Sequence, residues 1–386
     1  MLQKVATYLK RIDQYSALKL SDSFFSFLTN LIVLKKLSSE NVSLIYYSLN
    51  LVSFIYIFVD FSQSNLLLTK NIYQEEKTFI YIKRIITVLL FITLVGIGKF
   101  YFQLDNLFCA YILYVFLDSC VKSFYLYFIE EDKSNLILIV LGKLITLSAL
   151  LLYSLNKIVT NPIYLFLIYF FVAFFIFISN FRLNKIKSIS ARGFRKLHFI
   201  SVKKLWKGSS YIFANQLSYI IRYLVISFII QATFSHFAKD FRIVSIQLSL
   251  IQIFIFSFGY YFFSSTINFS EFFNRIFRFN FALIALTAFF LVSYKHFVLN
   301  IPLNIWDLLI ILLSFSEFIY LIIATYYSLS LLKKQINWLT LFNLVLSITV
   351  YVVSISLKSS YHTFIICLFG LQYLFFIFLY SKRLLQ

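Results

Sequence analysis

Charge is scarce in this sequence. Of 386 residues only 13% are Asp, Glu, Lys or Arg, while 61% are apolar and the mean hydropathy is +0.86. Soluble domains carry about 25% charged residues, so a soluble globular protein is excluded. Glycine is rarer still, with 7 in the whole chain. No Gly-rich phosphate loop, Walker motif or Gly-x-Ser-x-Gly elbow occurs, which excludes an ATP-driven pump within this chain and a hydrolase of the elbow type. The three cysteines, Cys109, Cys120 and Cys367, lack metal spacing. His198, His236, His296 and His362 are scattered. No metal and no cofactor is therefore expected. The N-terminus lacks the short apolar core of a cleavable signal peptide, opening instead with Lys4, Lys10, Arg11 and Asp13. Leu2, Val5, Leu9 and Ile12 share one helical face there, as in a surface-lying segment or the first turns of a first span.

What the sequence has in abundance is long apolar runs, such as Leu136 to Leu155 and Ile163 to Ile178. Runs of about 20 residues match a bilayer core. The short alternation of a membrane β-strand is absent. The expected class is an all-α integral membrane protein. Charge clusters and turn residues divide it into twelve spans, roughly 15–37, 41–65, 78–101, 105–129, 134–155, 160–181, 206–232, 238–268, 272–294, 303–330, 336–357 and 360–381. Ser38-Ser39-Glu40-Asn41 reads as a helix start, and Asn161-Pro162 and Ile301-Pro302 place proline in first turns.

The stretch from Phe181 to Lys207 is the exception to the apolar rule, with Lys or Arg at nine positions. It separates an N-terminal six-helix lobe (1–181) from a C-terminal one (206–386), with 182–205 as a basic cytoplasmic connector. Outside the spans or at their ends, 23 basic residues fall on the connector's side of the membrane and 8 on the other. The positive-inside rule then puts the connector and both termini in the cytoplasm. The net charge of +20 is thereby explained by topology, and nucleic acid is not an expected partner. A shift of 199 positions lays Asn41 on Asp240, Leu44 on Ile243, Leu51 on Leu250 and Phe54 on Ile253, as two parallel repeats would.

Residues 24–90 carry a recognisable order of features. A span ending Val33-Leu34-Lys35-Lys36-Leu37 meets a tight Ser-Ser-Glu-Asn turn, a second span ends Val59-Asp60-Phe61-Ser62, and the charged loop Tyr73-Gln74-Glu75-Glu76-Lys77 precedes a third. This resembles the polysaccharide flippases, the O-antigen or lipid-linked oligosaccharide translocases of the MATE-like MOP superfamily. The segment Leu205-Trp206-Lys207-Gly208-Ser209-Ser210-Tyr211 through Ile230 is similar to that family's seventh span. The family's turn glycines stand here as Ser43 and Arg242, and its Asp-Phe-Gly glycine as Ser62. The resemblance implies two six-helix lobes around a central cavity that opens alternately to each side. It implies a transporter rather than an enzyme, flipping an undecaprenyl-diphosphate-linked oligosaccharide (an O-antigen or capsule repeat unit) across a bacterial inner membrane. Its partners would be that lipid-linked substrate, membrane lipid and other polysaccharide-assembly membrane proteins.

Ionisable groups inside spans are the candidate site residues, because each needs a partner or a wet cavity. Arg222, in the seventh span, has Asn215, Gln216 and Ser218 as its nearest polar groups in sequence. It can hold a diphosphate or pair with an acid on another helix. Glu317 is the most isolated acid, and either binds the coupling proton or cation or is that partner. Lys143 can line the cavity or snorkel to the surface. Asp118 and Lys122, spaced i, i+4, can neutralise one another; otherwise Lys122 joins the substrate-binding cations and Asp118 the coupling acids. Asp60 occupies the Asp-Phe-Gly position and is a candidate for gating. Two other functions are open. A membrane glycan polymerase or glycosyltransferase would carry a long catalytic outer loop, yet every expected outer loop is short. A cation-coupled small-molecule exporter is not decided by the charges within spans, where Lys19, Lys122, Lys143 and Arg222 balance Asp22, Asp60, Asp118 and Glu317.

The orientation is directly testable. Green fluorescent protein fused after Gln386 should fluoresce, and alkaline phosphatase fused there should be inactive. Phosphatase fused at Lys157 should be active; the reverse pattern would invert the topology.

Overall fold

The computed structural model describes residues 21, 24–60, 74–123, 133–155, 161–179, 191–243, 245–246, 255, 268–300, 302, 315, 317–327, 330, 332–356 and 360–381. Helix accounts for 93% of these residues, and no strand occurs among them. The helices are α1 (24–36), α2 (Ser39–Asp60), α3 (Gln74–Phe102), α4 (Asn106–Ser123), α5 (Lys133–Ser154), α6 (Pro162–Ser179), α7 (Ala191–Thr233), α8 (238–243), α9 (Phe269–Phe297), α10 (Glu317–Tyr327), α11 (Lys333–Tyr351) and α12 (Tyr361–Ser381). A single turn of π-helix, Val352–Ser356, extends α11.

Local chemistry sets several starts. The Ser38 hydroxyl accepts from the Asn41 amide at 3.3 Å ahead of α2, and Asn161 Oδ1 accepts from Ile163 N at 2.9 Å with Pro162 as the first residue of α6. Asn268, half of an Asn-x-Ser pattern, caps α9 by accepting from Glu271 N at 2.9 Å. Each cap satisfies an amide that the helix leaves unpaired.

Among the described residues, five helices are long and apolar enough to cross a membrane: Ser39–Val59, Lys83–Phe102, Pro162–Ser179, Phe213–Thr233 and Lys333–Ile355. A 21-residue segment rises about 31 Å, the thickness of a bilayer core. Their outer faces are correspondingly greasy. On α3, Ile86, Leu89, Leu90, Leu94 and Ile97 are exposed as one stripe, while Val88, Phe91 and Val95 are buried on the opposite side. Water would penalise such a stripe, whereas lipid is its matching solvent.

The basic connector differs from expectation. A span beginning near residue 206 was expected, but α7 begins at Ala191 and runs 43 residues, about 64 Å. Only its C-terminal part, Phe213–Thr233, is apolar enough to span. The stretch 191–205 is therefore helix, with Lys and Arg extending α7 beyond the apolar segment; residues 182–190 lie outside the described residues. Also outside them are the N-terminal amphipathic segment, Lys19, Asp22 and most of the expected eighth span.

The chain falls into two compact units, each with its own packing. The first draws its described residues from Ser48–Phe213, the second from Ser16–Tyr47 and Ala214–Gln386. In the first, α4 packs most broadly on α6, with α5 against α6 and α3 against α4. Phe91 stacks on Phe116 at 3.9 Å, and Tyr111 meets Phe166 edge-on at 4.8 Å. Gly142 lets α5 approach α6: a Cβ there would sit 2.5 Å from Ile176 Cδ1 and 3.0 Å from Val172 Cγ1. In the second, Phe27 of α1 meets Phe290 of α9, Phe277 of α9 meets Phe318 of α10, and Phe342 of α11 stacks on Phe375 of α12 at 3.9 Å.

The glycine contact predicts a graded response. Gly142→Ala pushes mainly on the mobile Ile176 methyl and should change stability little. Gly142→Leu should lower it by about 1–3 kcal/mol through overpacking, read as a lower melting temperature in detergent. Unchanged melting of the leucine variant would refute the close approach.

Candidate functional site

Between Asn215 and Ile230, α7 presents one buried face. Asn215, Ser218, Arg222, Ile226 and Ile229 recur at helical spacing and are all buried. Tyr219, Arg222 and Tyr223 stand at i, i+3 and i+4, so two phenol groups flank the guanidinium. Opposite stands Glu317 at the start of the described part of α10.

Arg222 and Glu317 form an ion pair, with Arg222 Nη2 donating to Glu317 Oε1 at 2.5 Å and each side chain 1% exposed. The same oxygen accepts from Tyr219 OH at 3.1 Å and Tyr223 OH at 3.0 Å. Glu317 Oε2 accepts from the Gln372 amide on α12. The guanidinium is also enclosed by rings, its Cζ lying 4.8 Å from the centroid of Tyr219, 5.0 Å from Tyr223 and 5.1 Å from Tyr320. Such rings attract a cation through their negative faces. Tyr219 and Tyr320 are parallel, 5.8 Å apart. Asn343 of α11 donates to Tyr320 OH at 2.7 Å and to Ser218 Oγ at 3.3 Å. Helices α7, α10, α11 and α12 thus converge on one pair of charges, and every residue named here belongs to the second unit.

The pair is incompletely satisfied on one side. Arg222 Nε and Nη1 are buried with no hydrogen-bond partner among the described residues, as are Asn215 Oδ1 and Asn343 Oδ1. The arrangement is therefore a sealed cation, neutralised by a carboxylate through one of its nitrogens, with two further N–H donor groups free of described acceptors. Guanidinium N–H groups are donors that carboxylate and phosphate oxygens accept from.

The remaining candidates lie elsewhere. Asp118 and Lys122 pair with each other at 2.5 Å on α4, both partly exposed. Lys143 is half-buried on α5. These three belong to the first unit. Asp60 is the last residue of α2, and its side chain lies outside the described part. No group of three His, Cys, Asp or Glu that could hold a metal occurs among the described residues.

No family model, curated protein or solved structure matches this chain. The site is accordingly read from its own chemistry.

Several site members were not singled out in the sequence. Tyr219 and Tyr223 carry a usable signal, their spacing from Arg222. Gln372 and Asn343 were visible only as polar groups in apolar runs. Lys295 and Arg242, counted among the eight basic residues on the side away from the connector, are both buried. Lys295 pairs with Asp240 at 3.0 Å, joining α9 to α8; Arg242 donates to Asn30 Oδ1 at 2.7 Å, joining α8 to α1. Tyr294 OH donates to Leu31 O at 2.5 Å, completing a polar clasp among these three helices. Arg84, counted among the basic residues on the connector's side, is fully buried on α3.

Removing one member of a buried pair leaves its partner's charge uncompensated. Glu317→Gln should therefore cost about 3–5 kcal/mol, and Arg222→Met with Glu317→Leu should recover most of it. Thermal unfolding of the three proteins checks this; a double variant no more stable than Glu317→Gln would refute the coupling.

Proposed function

We propose that this chain is a membrane transporter, a flippase that carries an undecaprenyl-diphosphate-linked oligosaccharide across a bacterial inner membrane by alternating access. On this reading it has twelve spans in two six-helix lobes, both termini are cytoplasmic, and the protein works without a cofactor. The observation that carries the reading is the buried Arg222, a cation sealed among apolar helices yet holding Nε and Nη1 without described acceptors. A diphosphate is a ligand that a guanidinium binds with two parallel hydrogen bonds. Intramembrane charges of this kind mark substrate and ion pathways, because a merely structural role is served at lower cost by apolar packing.

On this reading the residues divide the work as follows. Arg222 takes the diphosphate when the helices around it part, and Glu317 is the acid through which a proton or cation couples. The prenyl tail stays in the bilayer while the sugar head crosses the cavity. Lys143 is a further substrate-binding cation on this reading. Asp118 and Lys122 neutralise one another on α4, which leaves them a smaller part in binding, and Asp60 serves gating.

The test compares surface glycan at matched protein levels. Arg222→Ala should lose it by about tenfold or more, with lipid-linked repeat units accumulating on the inner face. Arg222→Lys should retain part, since an ammonium meets phosphate as a point charge. Full activity in both variants would refute the assignment. Accumulation of single repeats on the final acceptor would instead identify a polymerase.

A further inference from the structure

The Arg222–Glu317 pair poses a chemical problem for any anion that binds there. Glu317 already occupies the guanidinium, and an incoming oxyanion would place a second negative group beside it. In a sealed site this repulsion is weakly screened. Either the anion binds poorly, or the carboxylate gives way.

The groups around Glu317 favour the second outcome. Those facing it among the described residues are Arg222, Tyr219 and Tyr223 from α7 and Gln372 from α12. Tyr320 lies across the guanidinium on the carboxylate's own helix, held by Asn343 of α11, and Tyr46 of α2 is an electrostatic neighbour of Tyr223. Arg222 is the only cation among these. Once its charge is directed to another anion, Glu317 is a buried carboxylate facing neutral groups, a state costly enough that protonation replaces it. Tyrosine hydroxyls and a glutamine amide can each donate or accept. The shell that holds the carboxylate as donors can therefore hold the carboxylic acid after rotation of a hydroxyl or amide. The guanidinium is equally prepared: Nε and Nη1 are unpartnered among the described residues, and each shares an edge with Nη2, so an oxyanion that meets either nitrogen gains its second parallel hydrogen bond by taking Nη2 from Glu317.

We propose that Glu317 is a resident counter-ion that the substrate's oxyanion displaces from Arg222, and that the displaced carboxylate takes up one proton from water. Each anion bound thus carries one proton into the site, and each anion released returns it as the ion pair reforms. The proposal rests on the reading of Arg222 as the diphosphate site. It adds that substrate and proton move together, with no separate proton site.

Methanedisulfonate is a suitable probe, a diphosphate-shaped dianion with no titratable proton of its own. Its binding to the full chain in lipid nanodiscs would be measured by calorimetry at pH 7 in buffers of different ionisation enthalpy, so that any proton taken up is the protein's. The wild type should take up close to one proton per anion bound. Glu317→Gln should bind about tenfold tighter or better, without uptake, and its low melting temperature should rise on binding, because the anion replaces the missing counter-charge. Arg222→Ala should not bind. Uptake below about half a proton in the wild type, or a Glu317→Gln protein that binds no tighter, overturns the displacement and leaves Arg222 as an anion site. Absence of binding in both proteins overturns the anion site itself. The wild-type uptake decides the matter even if the glutamine variant fails to fold.

Discussion

A guanidinium and a carboxylate buried among lipid-thick helices are a constraint that the rest of the second unit has to meet. Each charge alone costs roughly 2.5–3.5 kcal/mol to place at mid-membrane, and the pair repays this only when the remaining donors and lone pairs are also served. Here that requirement fixes the relative register of several helices. Arg222, Tyr219 and Tyr223 set the depth and rotation of α7 against Glu317 on α10, and Gln372 sets α12 by the same atom group. Asn343 extends the constraint to α11 through Tyr320 and Ser218. A shift of one residue along any of these helices would remove a partner from a buried charge.

Outside such clusters the packing has less to specify it. Lipid tails are as apolar as leucine, so burying Leu against Leu separates two arrangements poorly. Shape and small residues must then decide. In the first unit they do so through Gly142 beneath Ile176 and Val172, and through the stacked Phe91 and Phe116. In the second, the clasp of Asp240, Lys295, Arg242, Asn30 and Tyr294 provides polar specificity at α1, α8 and α9. The two units solve one problem with different means.

How much of this was legible in the sequence depended on the type of signal. Helicity and apolar length follow from composition, and the proline and asparagine at Asn161-Pro162 mark the start of α6. Arg222 and Glu317 stood out as isolated charges, and their pairing was one of two open readings. The tyrosine cage was half legible, since Tyr219 and Tyr223 share a face with Arg222, whereas Tyr320, Asn343 and Gln372 arrive from other helices that only tertiary packing aligns. The basic residues misled where they were counted as solvated because they fell near span ends. Lys295, Arg242 and Arg84 are buried, and Lys295 and Arg242 are held by partners remote in sequence that a count by side of the membrane does not register. The helical start of α7 at Ala191 was missed because basic residues read as connector, though Arg and Lys are good helix formers.

The depth of the pair bears on what it can do. Arg222 is the tenth residue of the 21-residue apolar segment Phe213–Thr233, so about 14 Å of helix lies before it and about 16 Å after it. An ion-pair with a purely architectural role could sit at either end, where water and head groups would lower its cost. Placed near the centre, it carries the highest desolvation cost that the segment offers, with similar lengths of apolar helix on either side. A site used from both sides needs that position, because its ligand must be reached from one face and released to the other. The central depth, the two unpartnered guanidinium nitrogens and the shell of groups able to donate or accept are three independent features of the site. Each is costly or unnecessary for a structural strut, and each is what the proposed exchange of one anion for another would use.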